Sequence, residues 1–305
     1  MRMVPSSENK TPAFSTRDMW ILTAAMAALL VASAVIFGVY VFAMAAMAYG
    51  VAIVIELAFA KWRKRPIDRG WMMTPLLLVL LVPPSAPLWL VAIGSGIGVF
   101  FGKMIFGGTG RYIFSPAAVG VLFVTVSFLA EMTTSWLDPV TGTLTIMTPV
   151  WALHLGELDH SIWTLMRGEV TGSTGETFRL GILVLGFLLI GLKVINWRIP
   201  LVYIGSVFVI TGIGHLLVPE TFVDPVMSLF VGTLFLGAFF LATDPTTTPS
   251  SSKGLIIYGM GLGAITVIIR TFSAFPEGVI FAVIIMNAVS GLIDNWHSEM
   301  EGEPA

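Results

Sequence analysis

Apolar runs of about 20 residues, the length a helix needs to cross the hydrocarbon core of a bilayer, occupy most of this chain. They cover 19–38, 40–60, 113–130, 180–196, 199–218, 225–242, 254–272 and 277–294, and one further run, 73–102, is interrupted by P-P-S-A-P at 83–87. A continuous helix cannot carry that interruption, because proline removes a backbone donor and clashes with the preceding turn. The run is therefore two elements, 73–82 and 87–102. The expected fold is an all-α integral membrane protein of about ten transmembrane helices, some broken or re-entrant. Composition agrees: 56% of residues are hydrophobic and 11% charged, against roughly 25% charged in soluble domains. The first run, Met19–Tyr40, is too long for a signal peptide and lacks a small-residue cleavage site, so it reads as a span.

Several chemistries are excluded at once. The chain has no cysteine, so it holds no disulfide, iron–sulfur cluster or zinc-thiolate site of its own. No basic, aromatic-interleaved patch for nucleic acid is present. His154, His160, His215 and His297 have no ligand-like spacing. A G-x-G-x-x-G after a strand is also absent: G-S-G-I-G-V (94–99) lies inside a span, where glycines pack helices.

Lysine and arginine set the orientation. Arg2, Lys10, Arg17, Lys61, Arg63, Lys64, Arg65, Arg69, Lys103, Arg111, Lys193, Arg198 and Lys253 fall on one side of the ten-span plan, and Arg167, Arg179 and Arg270 on the other. Thirteen against three places both termini and the Gly102–Tyr112 loop in the cytoplasm. The plan then divides into a cytoplasmic tail 1–18, five spans over 19–130, an external loop 131–178, five spans over 179–296, and a tail 297–305. The two five-span sections match in outline. P-S-A-P-L-W-L-V-A-I-G-S-G-I-G-V-F-F-G-K leading to I-F-S-P-A-A-V is echoed by P-S-S-S-K-G-L-I-I-Y-G-M-G-L-G-A-I leading to F-S-A-F-P-E-G-V. An odd span number makes such repeats inverted, and broken segments at matching places, 73–87 and 237–254, point to a site between the halves.

Ionisable residues inside apolar runs are costly and are functional candidates for that reason. Glu56 lies near the cytoplasmic end of its span, where it could pair with the basic run that follows. Lys103, Arg270 and Asp294 fall near span ends, where snorkelling explains them. Asp244, in A-T-D-P-T-T-T-P, sits where a broken helix unwinds and is the best buried acid. The segment 102–119, G-K-M-I-F-G-G-T-G-R-Y-I-F-S-P-A-A-V, reads either as a cytoplasmic loop or as a turn between half-inserted helices with Arg111 facing an anion. The interval 131–178 is rich in threonine. Within it G-S-T-G-E-T (172–177) reads as a helix start, with Ser173 or Thr174 capping and Glu176 in the first turn.

Taken in order, these motifs resemble one family, which comprises the D subunit of the Rnf electron-transport complex and the related B subunit of the sodium-pumping NADH:quinone reductase. The resemblance rests on L-V-P-P-S-A-P-L-W (81–89), G-K-M-I-F-G-G-T-G-R-Y-I-F-S-P-A (102–117), G-S-T-G-E-T, W-R-I-P (197–200), A-T-D-P-T-T-T-P-S-S-S-K-G (242–254), F-P-E-G-V-I-F-A-V-I-I-M-N (275–287) and L-I-D (292–294). It implies two inverted five-helix repeats and an FMN whose phosphate is esterified, by a separate flavin transferase, to threonine in an external S/T-G-A-T motif. The best register here is Thr145-Ile146-Met147-Thr148-Pro149, which keeps the outer hydroxyls and the proline but loses the Gly-Ala centre. The acidic residue usual six before the acceptor falls on Gly142. A register starting from Asp138 and Thr141-Gly142 would put the acceptor on Leu144. Thr148 is the first choice and Thr145 the second, with Glu176 and Thr177 as further cofactor contacts. Arg111 and Lys103 lie on the opposite face in this topology and should not hold that flavin's phosphate, so Arg111, in the glycine-rich loop, is a cofactor contact only toward a second flavin.

The resemblance also implies a second, non-covalent riboflavin nearer the cytoplasm, partner subunits, and electron flow on the ferredoxin/NAD side coupled to Na+ or H+ export. The ionisable residues in apolar runs, Asp244, Glu56 and Asp294, are then the ion-coupling candidates. The short N-terminal tail suits the Rnf side better than the quinone-reductase side. A stand-alone flavin conduit is an alternative, as is a small-solute channel or transporter, which would not need the threonine-rich external motif.

Overall fold

The structure is a computed structural model that describes residues 14–156, 161–273, 275 and 277–301; Arg2, Lys10, His160 and the side chain of His297 fall outside what it describes. Fourteen α-helices follow one another among those residues. Four are apolar and long enough to span: α1 (Thr16–Phe37), α2 (Tyr40–Arg63), α10 (Arg198–Leu217) and α13 (Ser252–Phe272). Shorter helices complete the expected spans. These are α3 (Met73–Leu81), α4 (Leu88–Val99), α5 (Pro116–Ser127), α9 (Arg179–Gly191) and α14 (Val279–Glu301), with α11 (Pro225–Phe230) and α12 (Leu234–Leu236) dividing one run between them. Single π-helical turns extend α4 over Phe100–Met104 and α12 over Gly237–Leu241.

The expected break at 83–87 is present: α3 stops at Leu81, and Val82 before Pro83 is extended, as a pre-proline residue prefers. The run 225–242, expected as one span, is instead interrupted at Val231–Thr233, with Gly232 at φ +70°. A positive φ that suits glycine ends α11 there. The interval 131–178 is more than a solvated loop. It takes in the end of α6 (Leu129–Thr133), then α7 (Pro149–His154), α8 (Ile162–Arg167) and a hairpin pairing β1 (Trp136–Leu137) with β2 (Leu144–Thr145).

Two short elements form the centre. Every residue of α3 from Thr74 to Leu81, and every residue from Leu234 to Leu241, is buried. Helices apolar on all sides belong in the interior. Around the first, α2 packs on α4 and α4 on α5; around the second, α10 packs on α13 and α13 on α14. The α4–α5 crossing is close because of glycine: a Cβ on Gly98 would lie 2.5 Å from the Pro116 carbonyl oxygen. Small residues spaced by four let backbones approach in this way.

The two ends of the bundle differ. One carries residues 63–72, 105–115, 193–198 and 243–251, tied by bonds such as Arg69 Nη1 to Thr16 Oγ1 at 2.9 Å; it is called here the basic end. The other, the threonine end, carries 131–156, 161–178, 218–233, 273, 275 and 277–278, tied to α11 through the Val150, Leu165, Val170 and Val231 cluster.

Candidate functional site

At the threonine end the β1–β2 turn is held by Asp138, whose Oδ1 accepts from the Val140 amide at 2.8 Å. Thr145, at the end of β2, accepts from the Met147 amide at 3.1 Å. Thr148 is the N-cap of α7, its Oγ1 accepting from the Trp151 amide at 3.3 Å, with Pro149 at the first helical position. This is a favoured cap arrangement, since proline needs no acceptor for a donor it lacks. Thr171 ties the segment down by donating to the Met147 carbonyl at 3.1 Å. Thr145 and Thr148 thus line the same open cleft, with Asp138, Thr164, Glu169 and Thr171. Leu144 is 63% exposed beside it and offers no hydroxyl.

Behind this cleft the segment 172–177 does something other than start a helix. The Thr174 amide and hydroxyl both donate to the Val82 carbonyl, at 2.9 and 2.8 Å, and the Gly175 amide donates to Leu80 at 2.7 Å. Proline after Val82 leaves the last α3 carbonyls without helical donors, and G-S-T-G-E-T supplies them. Gly175 is required for this approach, as a Cβ there would lie 2.6 Å from the Leu80 Cβ. The expected capping role of Ser173 and Thr174 is therefore corrected: α9 begins later, at Arg179, and its N-cap Phe178 makes no side-chain cap bond. Thr177 donates to the Ser173 carbonyl at 3.0 Å.

Glu176 instead joins a buried cluster between the halves. Its Oε2 accepts from Ser173 Oγ at 2.8 Å, and its Oε1 lies 3.7 Å from Arg179 Nη2. Across from it, Glu277 accepts from Thr233 Oγ1 at 2.7 Å and lies 3.7 Å from Arg270 Nη2. Both arginines spend donors on carbonyls at helix ends: Arg179 on Leu165 at 3.0 Å, and Arg270 on Ser228 and Val231 at 3.0 and 3.1 Å. Arg179 Nε and Nη2 and Arg270 Nε have no hydrogen-bond partner among the described residues. Burial pushes the Glu176 carboxyl up to about 7, with Glu277 adding to the rise and Arg179 and Ser173 opposing it. Arg270 does not snorkel, being 7% exposed.

The basic end is organised differently. Lys103 does not snorkel either; its Nζ donates to Glu56 Oε1 at 2.6 Å, both side chains being 1% exposed. Glu56 thus pairs with Lys103 and not with the basic run after α2. The Tyr112 hydroxyl donates to Asp244 Oδ2 at 2.6 Å, and the Thr246 amide to its Oδ1 at 2.9 Å. Lys103, Tyr112 and Asp244 line a common pocket with Thr74, Ser115 and Thr246. Asp294 stands apart, accepting from the Ser250 amide at 3.0 Å. Arg111 is exposed and opens on another cleft, shared with Arg63 and Arg65.

The expected site residues therefore fall into three groups. Thr145 and Thr148 share a cleft, Glu176 and Thr177 lie buried behind it, and Arg111, Glu56 and Asp244 occupy the opposite end. Glu277, Thr233, Arg179 and Arg270 were not expected as a cluster. Their one sequence signal is that F-P-E-G and G-S-T-G-E-T each place a carboxylate at the mouth of a span. His154 and His215 each hydrogen-bond a backbone carbonyl through Nδ1, those of Val150 and Phe222.

These features define a polytopic, all-helical membrane protein with ion pairs inside the bundle and a hydroxyl-lined cleft at one end. The chain belongs to the NQR2, RnfD, RnfE family, whose model matches residues 6–301. It is 34% identical to the D subunit of a Na+-translocating ferredoxin:NAD+ oxidoreductase complex from Acetobacterium woodii, over 92% of this chain and 87% of that one. It is 35% identical to the D subunit of a proton-translocating ferredoxin:NAD+ oxidoreductase complex from Clostridium ljungdahlii, over 92% and 89%. The D subunit of the ion-translocating oxidoreductase complex of Erwinia tasmaniensis is 33% identical over 80% and 81%.

Proposed function

We propose that this chain is the D subunit of an Rnf-type ion-translocating ferredoxin:NAD+ oxidoreductase, carrying FMN as a phosphoester on Thr148. The observation that carries the attachment is the threonine-end cleft, which Thr148 and the alternative Thr145 both line. The residues fit the group in a further respect. Among the described residues no lysine or arginine lines that cleft, so a free phosphate would find no cation there, and a covalent ester supplies the retention that charge does not. When bound, FMN supplies one-electron redox chemistry. The chain positions it through the Thr148–Pro149 helix start and the Thr171 tie, leaving its ring system free of covalent attachment.

The same reading puts the basic end in the cytoplasm of an inner (cytoplasmic) membrane. Burial sharpens the charge argument, since Lys103 is paired with Glu56 inside the bundle and Arg179 and Arg270 are buried and committed to backbone carbonyls. Among the described residues ten basic side chains remain at the basic end and only Arg167 at the other, the asymmetry of a cytoplasmic face. The like pairing of α2, α4 and α5 with α10, α13 and α14 supports an inverted repeat with the divisions 19–130 and 179–296. Asp244 and Glu56, joined through the Lys103 pocket, are the acids proposed to handle the coupling ion, Na+ or H+; Asp294 lies outside that pocket. The pocket is also where a non-covalent riboflavin would lie.

Expression with a flavin transferase should give a fluorescent band on a denaturing gel. The band is lost with Thr148→Ala and kept with Thr145→Ala. Fluorescence that survives Thr148→Ala and disappears with Thr145→Ala would move the attachment, and none at all with a competent transferase would overturn it. In the assembled complex, Asp244→Asn should lower ion-coupled turnover and alter its Na+ or pH dependence; an unchanged dependence removes Asp244 from the ion site.

A further inference from the structure

At the basic end, where α2 leaves the bundle, a cleft is lined by Arg63, Arg65 and Arg111 together with Glu56 and Asp68. Glu56 is neutralised by Lys103. Asp68 is engaged by the Thr109 amide at 2.7 Å. The lining is therefore three guanidiniums against one uncompensated carboxylate. Arg63 is fixed over the Phe59 ring, 4.9 Å from its centroid, and donates to the Met104 carbonyl at 2.6 Å. Arg65 and Arg111 are exposed and have no hydrogen-bond or ion-pair partner among the described residues.

A strip of aromatic rings leads away from these arginines. Phe59 lines the cleft and meets Phe100 at 5.6 Å between centroids; Phe100 meets Phe101 at 4.9 Å, and Trp62 flanks Phe59 at 5.6 Å. Trp62 is 75% exposed and Phe101 51%. Uncompensated guanidiniums at the end of a span, with an exposed apolar track on the bilayer side, match a phosphate attached to acyl chains. A free anion would use the arginines and have no need of the track. Basic pockets between spans are known to take lipid headgroups in this way, and arginine suits phosphate because its planar fork can donate two bonds at once.

We propose that this cleft binds the phosphate of an anionic phospholipid, with the acyl chains lying along Phe59, Phe100 and Phe101. The site requires only that the chain span a membrane and does not depend on flavin attachment or on the coupling ion.

The full chain is reconstituted into nanodiscs of phosphatidylcholine and phosphatidylglycerol, then extracted in neutral detergent and its retained lipids counted by native mass spectrometry. Phosphatidylglycerol should be retained over phosphatidylcholine by about tenfold, the order expected for a few basic side chains at one headgroup. Arg65→Gln/Arg111→Gln, at exposed positions without partners, should reduce that preference, and adding Arg63→Gln should abolish it. Lys64→Gln/Arg69→Gln, which alters charge outside the cleft, should leave it intact. Equal retention of the two lipids overturns the proposal, as does a preference that survives the triple change or falls equally in the control. Displacement by excess inorganic phosphate would show a free-anion site. A photocrosslinker replacing Phe101 should capture lipid in the assembled complex; capture of a neighbouring subunit instead would show a protein interface.

Discussion

The two buried charge groups solve one problem in opposite ways. At the basic end, Glu56 and Lys103 form one direct pair at 2.6 Å, with almost no exposure. At the threonine end four charges are assembled, yet neither carboxylate–arginine contact is shorter than 3.7 Å. The arginines there are committed elsewhere. Arg179 and Arg270 donate to the carbonyls of Leu165, Ser228 and Val231, all at interruptions between short helices. A helix end leaves carbonyls without donors, and inside a bilayer no water replaces them. One region thus uses a cation to neutralise an acid, the other to satisfy broken backbone. The carboxylates of the second are left under-compensated, and burial, with Glu277 adding to it, raises Glu176 against a weak opposing pull from Arg179.

Removing the lysine from the tight pair is the largest expected effect. Lys103→Met leaves Glu56 buried and unpaired, a loss of about 3–5 kcal/mol, which should appear as a collapse of the monodisperse, heat-stable fraction in detergent. Adding Glu56→Gln should restore most of that stability, because replacing both members of a buried pair is often near neutral. If the double change is no better than the single one, the pair is not what holds α2 against α4.

The loose cluster should respond less, and for a different reason. Arg270→Met frees the Ser228 and Val231 carbonyls as well as Glu277, a cost of about 2–3 kcal/mol on the scale of buried unsatisfied groups. Glu277→Gln added to it should recover only the carboxylate's share, since the carbonyls stay unpaired. Full recovery would show that Arg270 serves its carboxylate first and would erase the distinction between the two ends.

This contrast also separates what was legible in the sequence from what was not. The break at Pro83-Pro84 was visible, because proline acts on its own neighbours. The partner that repairs the break was not: Thr174 reaches Val82 across 92 positions, and locally G-S-T-G-E-T looks like a capping motif. Glu56 and Lys103 each stood out as a costly residue, but their pairing joins residues 47 apart, so each was assigned a nearer explanation. The interruption at Val231–Thr233 has no proline to mark it; Gly232 alone does so, among many glycines that only pack helices. Thr145 and Thr148 lie within four residues, so their common cleft is a local matter, but the β1–β2 hairpin and the α7 start that shape it carry no apolar period in the sequence and read there only as part of an external loop.

The smallest expected effect tests the under-compensation directly. An unfolded glutamate titrates near 4.3, whereas burial and Glu277 raise Glu176 in the fold to about 7. Between those values the folded state binds the extra proton. Its contribution to stability is therefore present at the acid end of the window and is lost as pH rises through it. Stability of the parent chain relative to Glu176→Gln should fall between about pH 4.5 and 7, and a protonated-carboxyl infrared band, absent from Glu176→Gln, should vanish over the upper part of that range. A relative stability that rises across the window would mean that Arg179 holds Glu176 ionised. The threonine-end cluster would then resemble the tight pair of the basic end in its electrostatics despite its longer distances.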